Sequence, residues 1–289
     1  MGQTLLQTKK RIASISSTYK ITSAMKLVST VKLRKLMSKM ENYRYYVNEI
    51  SSIFDALLTG NEQFKNIYFE TNTSKSNLYI VFSSSLGLCG SYNYNIFEIL
   101  DDKINENDYL IIIGNKGKIH YKNFKNIIDL NLNESSYDEM NELLTEYILD
   151  NFAKGRFKEI YLVYTRYKNS ITFIPTINQL LPISRNQTQK VGYNADVLIE
   201  PSKDEVLNLL IPLYVSSLIK GKILEAYTSE YASRRNAMEN ASDNAKEIID
   251  ELQLEFNKAR QSQITNEIID IVGASNAQKG EWYYEQNKR

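Results

Sequence analysis

The sequence predicts an α/β domain carried between two very long helices, one near each end of the chain. Three observations predict it. From Gln3 to Thr59 there is neither Gly nor Pro, and from Lys222 to Val272 there is again neither. At about 1.5 Å of rise per residue, helices over these stretches run about 75 to 85 Å, several times the ordinary helix of about 11 to 12 residues. Between them, short apolar runs alternate with helical patterns, as in a mostly parallel sheet. Helices this long pair with each other or with partners, which suggests a shaft rather than a pocket.

The N-terminal helix carries Leu33, Leu36, Met40, Tyr43, Val47, Ile50, Phe54 and Leu57 in alternating steps of three and four. This is a coiled-coil seam sustained over about three and a half heptads. Upstream, the positions that would continue the register hold Tyr19, Thr22, Lys26 and Ser29, while Ile12, Ile15, Ile21, Met25, Val28 and Val31 form a different stripe. The first thirty residues are therefore expected to turn their apolar side elsewhere. In the C-terminal helix the seam reads Met238, Ala241, Ala245, Ile248, Leu252, Phe256 and Ala259, with alanines that let two backbones approach closely. An ordinary pair of amphipathic core helices is the plainer alternative, but a domain of ordinary size has little use for helices of this length.

In the middle, Leu78–Phe82 is a continuous apolar run typical of a strand buried on both faces. Leu110–Ile113, Ile127–Leu130, Ile160–Tyr164 and Ile171–Ile177 are further strand candidates, with helices expected around Tyr94–Asn105 and over Tyr137–Phe152. The alternation gives a doubly wound layer arrangement. The polar stretches 60–75 and 184–204 read as links to the long helices, and the resulting boundaries are 1–59 for the N-terminal coiled-coil helix, 60–204 for the α/β domain, 205–274 for the C-terminal coiled-coil helix and 275–289 for a tail.

The total charge is only +1, but it is unevenly placed. Residues 1–50 hold ten Lys or Arg against Glu41 and Glu49, a local balance of +8, so the other 239 residues carry −7. A basic helix beside an acidic remainder marks nucleic-acid binding, an anionic membrane surface, an acidic protein partner, or simply a solvated face with internal ion pairs. Nucleic acid is the weakest of these, because no stacking aromatics interleave with the basic residues and no zinc or helix-turn-helix spacing appears. The single cysteine, Cys89, excludes an internal disulfide and fits a reducing cytoplasm. The start has no apolar signal region, and no run approaches the roughly 18 apolar residues of a membrane span. A soluble cytoplasmic protein is expected.

Chemistry is sparse. Gly87-Leu-Cys-Gly90 follows the first strand, where a phosphate-cradling loop would sit, but neither G-x-x-x-x-G-K-[ST] nor G-x-G-x-x-G is present. Gly114-Asn-Lys-Gly117-Lys118 falls equally short, and glycines at both places are needed simply to turn the chain. One histidine, His120, and one cysteine give no paired metal-ligand spacing, and a Cys–His nucleophile would require those two in contact. Glu134, Asp138, Glu139, Glu142 and Glu146 read as a solvated helix face. No catalytic residue, metal site or cofactor is expected.

Several segments resemble a known family. Lys10–Ile15, Thr18–Val28 and Lys32–Lys35 look like the opening helix of the gamma subunit, the central rotor shaft, of F-type ATP synthases. Arg235–Ala245, Leu254–Gln261 and Ile264–Glu267 are similar to that family's closing helix, and Gly87–Gly90, Ile113–Gly117 and Pro175–Pro182 to landmarks of its α/β domain. The resemblance covers nearly the whole chain in order.

It implies a long antiparallel coiled coil of the N- and C-terminal helices plus a doubly wound, Rossmann-like α/β domain. It also implies a non-catalytic shaft that turns within three α and three β ATPase subunits and couples their ATP synthesis or hydrolysis to proton translocation. An epsilon-type subunit and a proton-translocating membrane ring are implied as further partners, and the place is the cytoplasm, peripheral on the inner face of the cell membrane. Residue by residue, Met25, Lys26 and Lys32 would lie near acidic β-subunit levers, Arg260, Gln261, Thr265 and Glu267 would hydrogen-bond loops of the ring, and Glu200 would face the membrane ring.

Three departures qualify the likeness. Ser85 and Leu86 stand where the family usually has Asp-Arg, and Ser91 where it has a last glycine; Ile199, not an aromatic, precedes Glu200-Pro201; and the chain continues past Ile271–Ala274 with Trp282, Tyr283 and Tyr284. That aromatic tail reads either as a contact for another protein or as a frayed terminus. The departures leave open a shaft of a specialised F-like ATPase that drives work other than proton transport. From other classes, a free-standing α/β enzyme and a passive coiled-coil scaffold are the competing readings.

Overall fold

A computed structural model describes residues 2–58, 65–184, 200 and 202–286, with side chains between residues 5 and 275 of these. Residues 60–64, 185–199 and 201 of the expected links lie outside the described residues, as do the side chains of Trp282, Tyr283 and Tyr284. The residues group into two compact units, Leu27–Ala237 and Met1–Lys26 with Met238–Arg289. The terminal elements are α1 (Gly2–Leu58) and α5 (Lys203–Gln286); between them come β1 (Leu78–Phe82), α2 (Tyr92–Asp101), β2 (Tyr109–Ile113), α3 (Asn115–His120), β3 (Ile127–Ile128), α4 (Tyr137–Ala153), β4 (Ile160–Tyr167) and β5 (Phe173–Leu181).

The sheet of the larger unit has the order β3-β2-β1-β4-β5, parallel except for β5, which runs antiparallel to β4. Its two faces bury alternate residues, as the period of two demands. Leu78, Ile80, Phe82, Ile111, Ile113, Ile160 and Leu162 face one core, completed by Met140, Leu144 and Ile148 of α4, by Phe54 and Leu57 of α1 and by α5. Tyr79, Val81, Leu110, Ile112 and Val163 face the other, completed by Ile96, Phe97 and Leu100 of α2. The doubly wound expectation holds.

Differences in detail have local causes. The second helix ends at Asp101, because Asp108 accepts from the backbone amides of Asn105 (2.9 Å) and Asn77 (2.8 Å) and so fixes a turn there. The glycine segment 114–117 is itself helical at its end, forming α3. The last hairpin is longer than expected, and the Asn169 side chain closes it by accepting from the amides of Ile171 (2.9 Å) and Thr172 (2.7 Å).

Helix α5 runs through Pro212 and Gly221. Leu207, Ile211, Val215, Ile219 and Ile223, spaced by four, are fully buried. At about 1.5–3 kcal/mol each, these side chains outweigh the roughly 3 kcal/mol that a proline costs a helix interior. By length and composition, one part of α5 is apolar enough to cross a membrane, contrary to the sequence reading. The five side chains packed in the core account for apolar character in this helix without a bilayer. At its other end α5 continues to Gln286, past the boundary placed at 274, because Gly273 alone does not stop a helix.

In each unit α1 and α5 pair antiparallel. In the larger one the Lys32 Nζ reaches the Tyr231 hydroxyl (3.1 Å), a Cβ on Gly221 would lie 3.5 Å from Val47, and Phe54 stacks on Tyr214 at 4.2 Å, so the α5 number falls as the α1 number rises. In the smaller one the Ser242 hydroxyl donates to the Thr22 hydroxyl (2.8 Å) and Lys26 pairs with Glu239 (2.7 Å). As expected, the first thirty residues turn much of their apolar stripe away from the seam, while the polar residues at the register positions do the packing. Thr22 and Ser29 are buried, whereas Ile21, Leu27, Val28 and Val31 are exposed. On α5, Ser242 is more buried than Ala241, and Ile248 is exposed while Ile249 is half-buried. Small hydroxyl side chains that hydrogen-bond across or back to their own helix fit a close helix–helix contact.

Candidate partner-binding surfaces

In a doubly wound sheet, ligands bind beyond the carboxyl ends of the strands. Here that position is taken by the chain itself. After β1 the loop Ser83–Gly90 turns its carbonyl oxygens toward α5, where Arg234 donates to those of Leu86 (3.0 Å) and Gly87 (3.4 Å), and Ser233 to that of Cys89 (2.7 Å). A phosphate cradle needs inward backbone N–H groups. Arg234 is 3% exposed and pairs at 2.7 Å with Glu230, 5% exposed. Burial pushes the Glu230 carboxyl above its ordinary value, and Arg234 pulls it back in part. Glu134 ties the same loop to the next, accepting from the Ser85 hydroxyl and from the Gly114 amide (3.1 Å). Gly114 has φ +93° and would place a Cβ 2.1 Å from the Ser83 carbonyl oxygen, so no other residue fits without moving the strand end. Among the described residues no three His, Cys, Asp or Glu side chains converge.

The loop is held so that Leu86 and Leu88 stand exposed, Leu88 with φ +63°. A non-glycine residue in that region is a strained conformation kept by its surroundings.

The residues singled out from sequence fall into separate groups. In the smaller unit Met25 is half-buried, and the Lys26–Glu239 pair is exposed at 37% and 41%, where an ion pair contributes about 0–1 kcal/mol. Lys32, in the larger unit, is exposed with its ammonium 5.1 Å from the Tyr231 ring centre. Arg260, Gln261, Thr265 and Glu267 are all exposed on α5, roughly 30 Å along the helix from Glu239. Local bonds run from Thr265 to the Gln261 carbonyl (2.9 Å) and from Gln263 to Glu267 (2.9 Å). Glu200 is exposed.

Sequence reasoning missed one apolar surface, the exposed Ile264, Ile268, Ile269, Ile271 and Val272 of α5; on α1, Val28 and Val31 of the stripe expected to face away from the seam are exposed, and Leu27 with them. Contiguous exposed apolar side chains mark interaction sites. The signal was present in the spacing of Ile264, Ile268 and Ile271, a stripe too near the end of α5 to find a partner on α1.

The family described as ATP synthase matches residues 4–277. The ATP synthase gamma chain of Mycoplasma mobile is 38% identical over 285 residues, covering 94% of this chain and 98% of that one. That of Mesoplasma florum is 36% identical over 280 residues, with the same coverage. Among solved structures, a chain of the Tetrahymena thermophila mitochondrial ATP synthase central stalk and c-ring is 28% identical with a TM-score of 0.54, covering 77% of this chain and 99% of that one. A chain of the Euglena gracilis mitochondrial ATP synthase, at 18% identity and a TM-score of 0.64, shares the fold over 96% of this chain and 95% of its own. With two terminal helices paired antiparallel about a doubly wound sheet, and with relatives matched along nearly their whole length, this chain belongs to the ATP synthase gamma chain family.

Proposed function

We propose that this chain is the central shaft of a rotary ATP synthase, turning inside a ring of three α and three β subunits and coupling ATP synthesis or hydrolysis there to proton translocation by a membrane ring. The observation that carries the reading is the exposed end of α5. Between residues 260 and 275 its side chains, apolar ones included, are exposed almost throughout. A helix this apolar has reason to exist if a sleeve of other subunits surrounds it.

The chain contributes no catalytic group. The crevice where a doubly wound domain binds its ligand is closed by Arg234 and Ser233, whose donors are spent on the loop's own backbone, and by Glu230, which pairs with Arg234. Arg260, Gln261, Thr265 and Glu267 present hydrogen-bonding groups to the ring, Met25, Lys26 and Lys32 meet acidic levers of the β subunits, and Glu200 faces the membrane ring, with an epsilon-type subunit beside it. Exposed charge pairs are weak and screened by salt, which suits contacts that form and release at each step. The complex sits on the inner face of the cell membrane with this chain on the cytoplasmic side.

The test is ATP-driven rotation of the reconstituted complex. Arg260→Ala with Gln261→Ala is expected to slow rotation while leaving the helical content of the chain unchanged; unaltered rotation would remove these residues from the account.

A further inference from the structure

One cavity outside these surfaces is lined by two arginines that have no acid partner among the described residues. It lies within the larger unit where α1, β4 and α5 meet, and has a volume of about 290 Å³. Arg44 and Asn48 of α1, Arg166 of β4, and Lys222 and Glu225 of α5 line it, with Val47 and Leu218 as apolar wall. Glu225 is already engaged, holding Lys222 at 3.0 Å, and both side chains are largely buried. Lys222 also lies 5.0 Å over the Tyr164 ring. Arg44 and Arg166 form no ion pair among the described residues. The lining therefore carries two charges more positive than negative. Gly221 also lines the cavity, and a Cβ there would sit 3.5 Å from Val47 Cγ2, so its missing side chain keeps this space open.

We propose that this cavity binds a small phosphate-bearing anion, with Arg44 and Arg166 as the grasping groups and the Lys222–Glu225 pair as their fixed backing. Guanidinium groups match phosphate oxygens two at a time, and two such forks brought from distant parts of the chain suit one oxyanion better than they suit solvent alone. The apolar wall accommodates the body of a phosphate ester. The proposal stands apart from the shaft reading, since it uses none of the residues assigned to ring contacts. The phosphate belongs either to a soluble molecule or to a lipid headgroup.

The test uses the purified full-length chain at low ionic strength, where exposed charges are least screened. Pyrophosphate is titrated by calorimetry, and vesicles of phosphatidylcholine with and without phosphatidylglycerol are tested by flotation. A soluble ligand gives saturable pyrophosphate binding with a Kd below about 1 mM, and a lipid ligand gives flotation only with the anionic vesicles. In either case Arg44→Gln and Arg166→Gln are each expected to weaken binding about tenfold, the loss of one charged hydrogen-bonded contact, while Lys122→Gln, on the surface elsewhere, changes nothing. Both arginines are exposed, so the variants keep the fold. Failure of both probes to bind, or binding indifferent to both arginine substitutions, overturns the proposal.

Discussion

Replacing Arg234 by Met keeps most of the side-chain volume but removes its charge and its donors. Three interactions disappear together: the 2.7 Å pair with Glu230 and the bonds to the carbonyl oxygens of Leu86 and Gly87. Because both partners are nearly inaccessible, the loss is set by the charge left behind. Breaking a buried pair from one side costs about 3–5 kcal/mol, which corresponds to a melting point lower by about 6 to 20 °C in a protein of this size. Arg234→Met with Glu230→Leu removes both charges, and about 1–3 kcal/mol of the loss is expected to return, since a buried pair replaced by apolar groups is close to neutral. The remaining deficit is the two carbonyl bonds, about 1 kcal/mol each. Urea unfolding of the full chain followed by circular dichroism measures both variants. The pH dependence gives a second check. Without Arg234 the already raised Glu230 carboxyl is pushed higher still. The single variant therefore loses stability as pH rises through that value, and its deficit is smaller at pH 5 than at pH 8. A single variant within 1 kcal/mol of the parent, or a double variant no better than the single, would refute the reasoning.

Other expectations follow from individual positions. Gly221→Ala adds a methyl at ordinary contact distance from Val47 in mid-helix, so it should raise the urea midpoint by about 1 kcal/mol equivalent at unchanged slope. Gly114→Ala combines φ +93° with a 2.1 Å clash on backbone and should destabilise by more than about 2 kcal/mol, whereas Gly155→Ala, at φ +71° with nothing within 4 Å, should cost only about 1 kcal/mol; paired melts compare them. Burial raises the Asp55 carboxyl to about 6. Its folded value exceeds its unfolded one, so its contribution is present below about pH 4 and lost as pH rises through 6, and Asp55→Asn should flatten stability between these limits.

The sequence made the long helices, the alternation of strands and helices in the central domain and the seam from Leu33 to Leu57 legible, because each depends on a strong local signal. Phe54, Leu57, Leu36 and Met40 were readable from heptad spacing and are buried. The upper seam was not readable, since Thr22, Ser29 and Ser242 are polar residues doing the packing of small ones. Hydropathy cannot distinguish a serine in a tight helix contact from one in water. The closure of the strand-end crevice was hidden for another reason. Arg234 and Leu86 are 148 residues apart, and the pairing depends on tertiary placement alone. The segments resembling the family pointed to Arg260 and Gln261, but the exposed isoleucines beyond them emerged only when α5 was seen to outrun its partner.

The most direct test of the shaft reading is native mass spectrometry of the tagged chain gently purified from its own cell. One copy recovered with three α and three β ATPase subunits and a proton-translocating ring is the expected result. The chain recovered without such a head would contradict it.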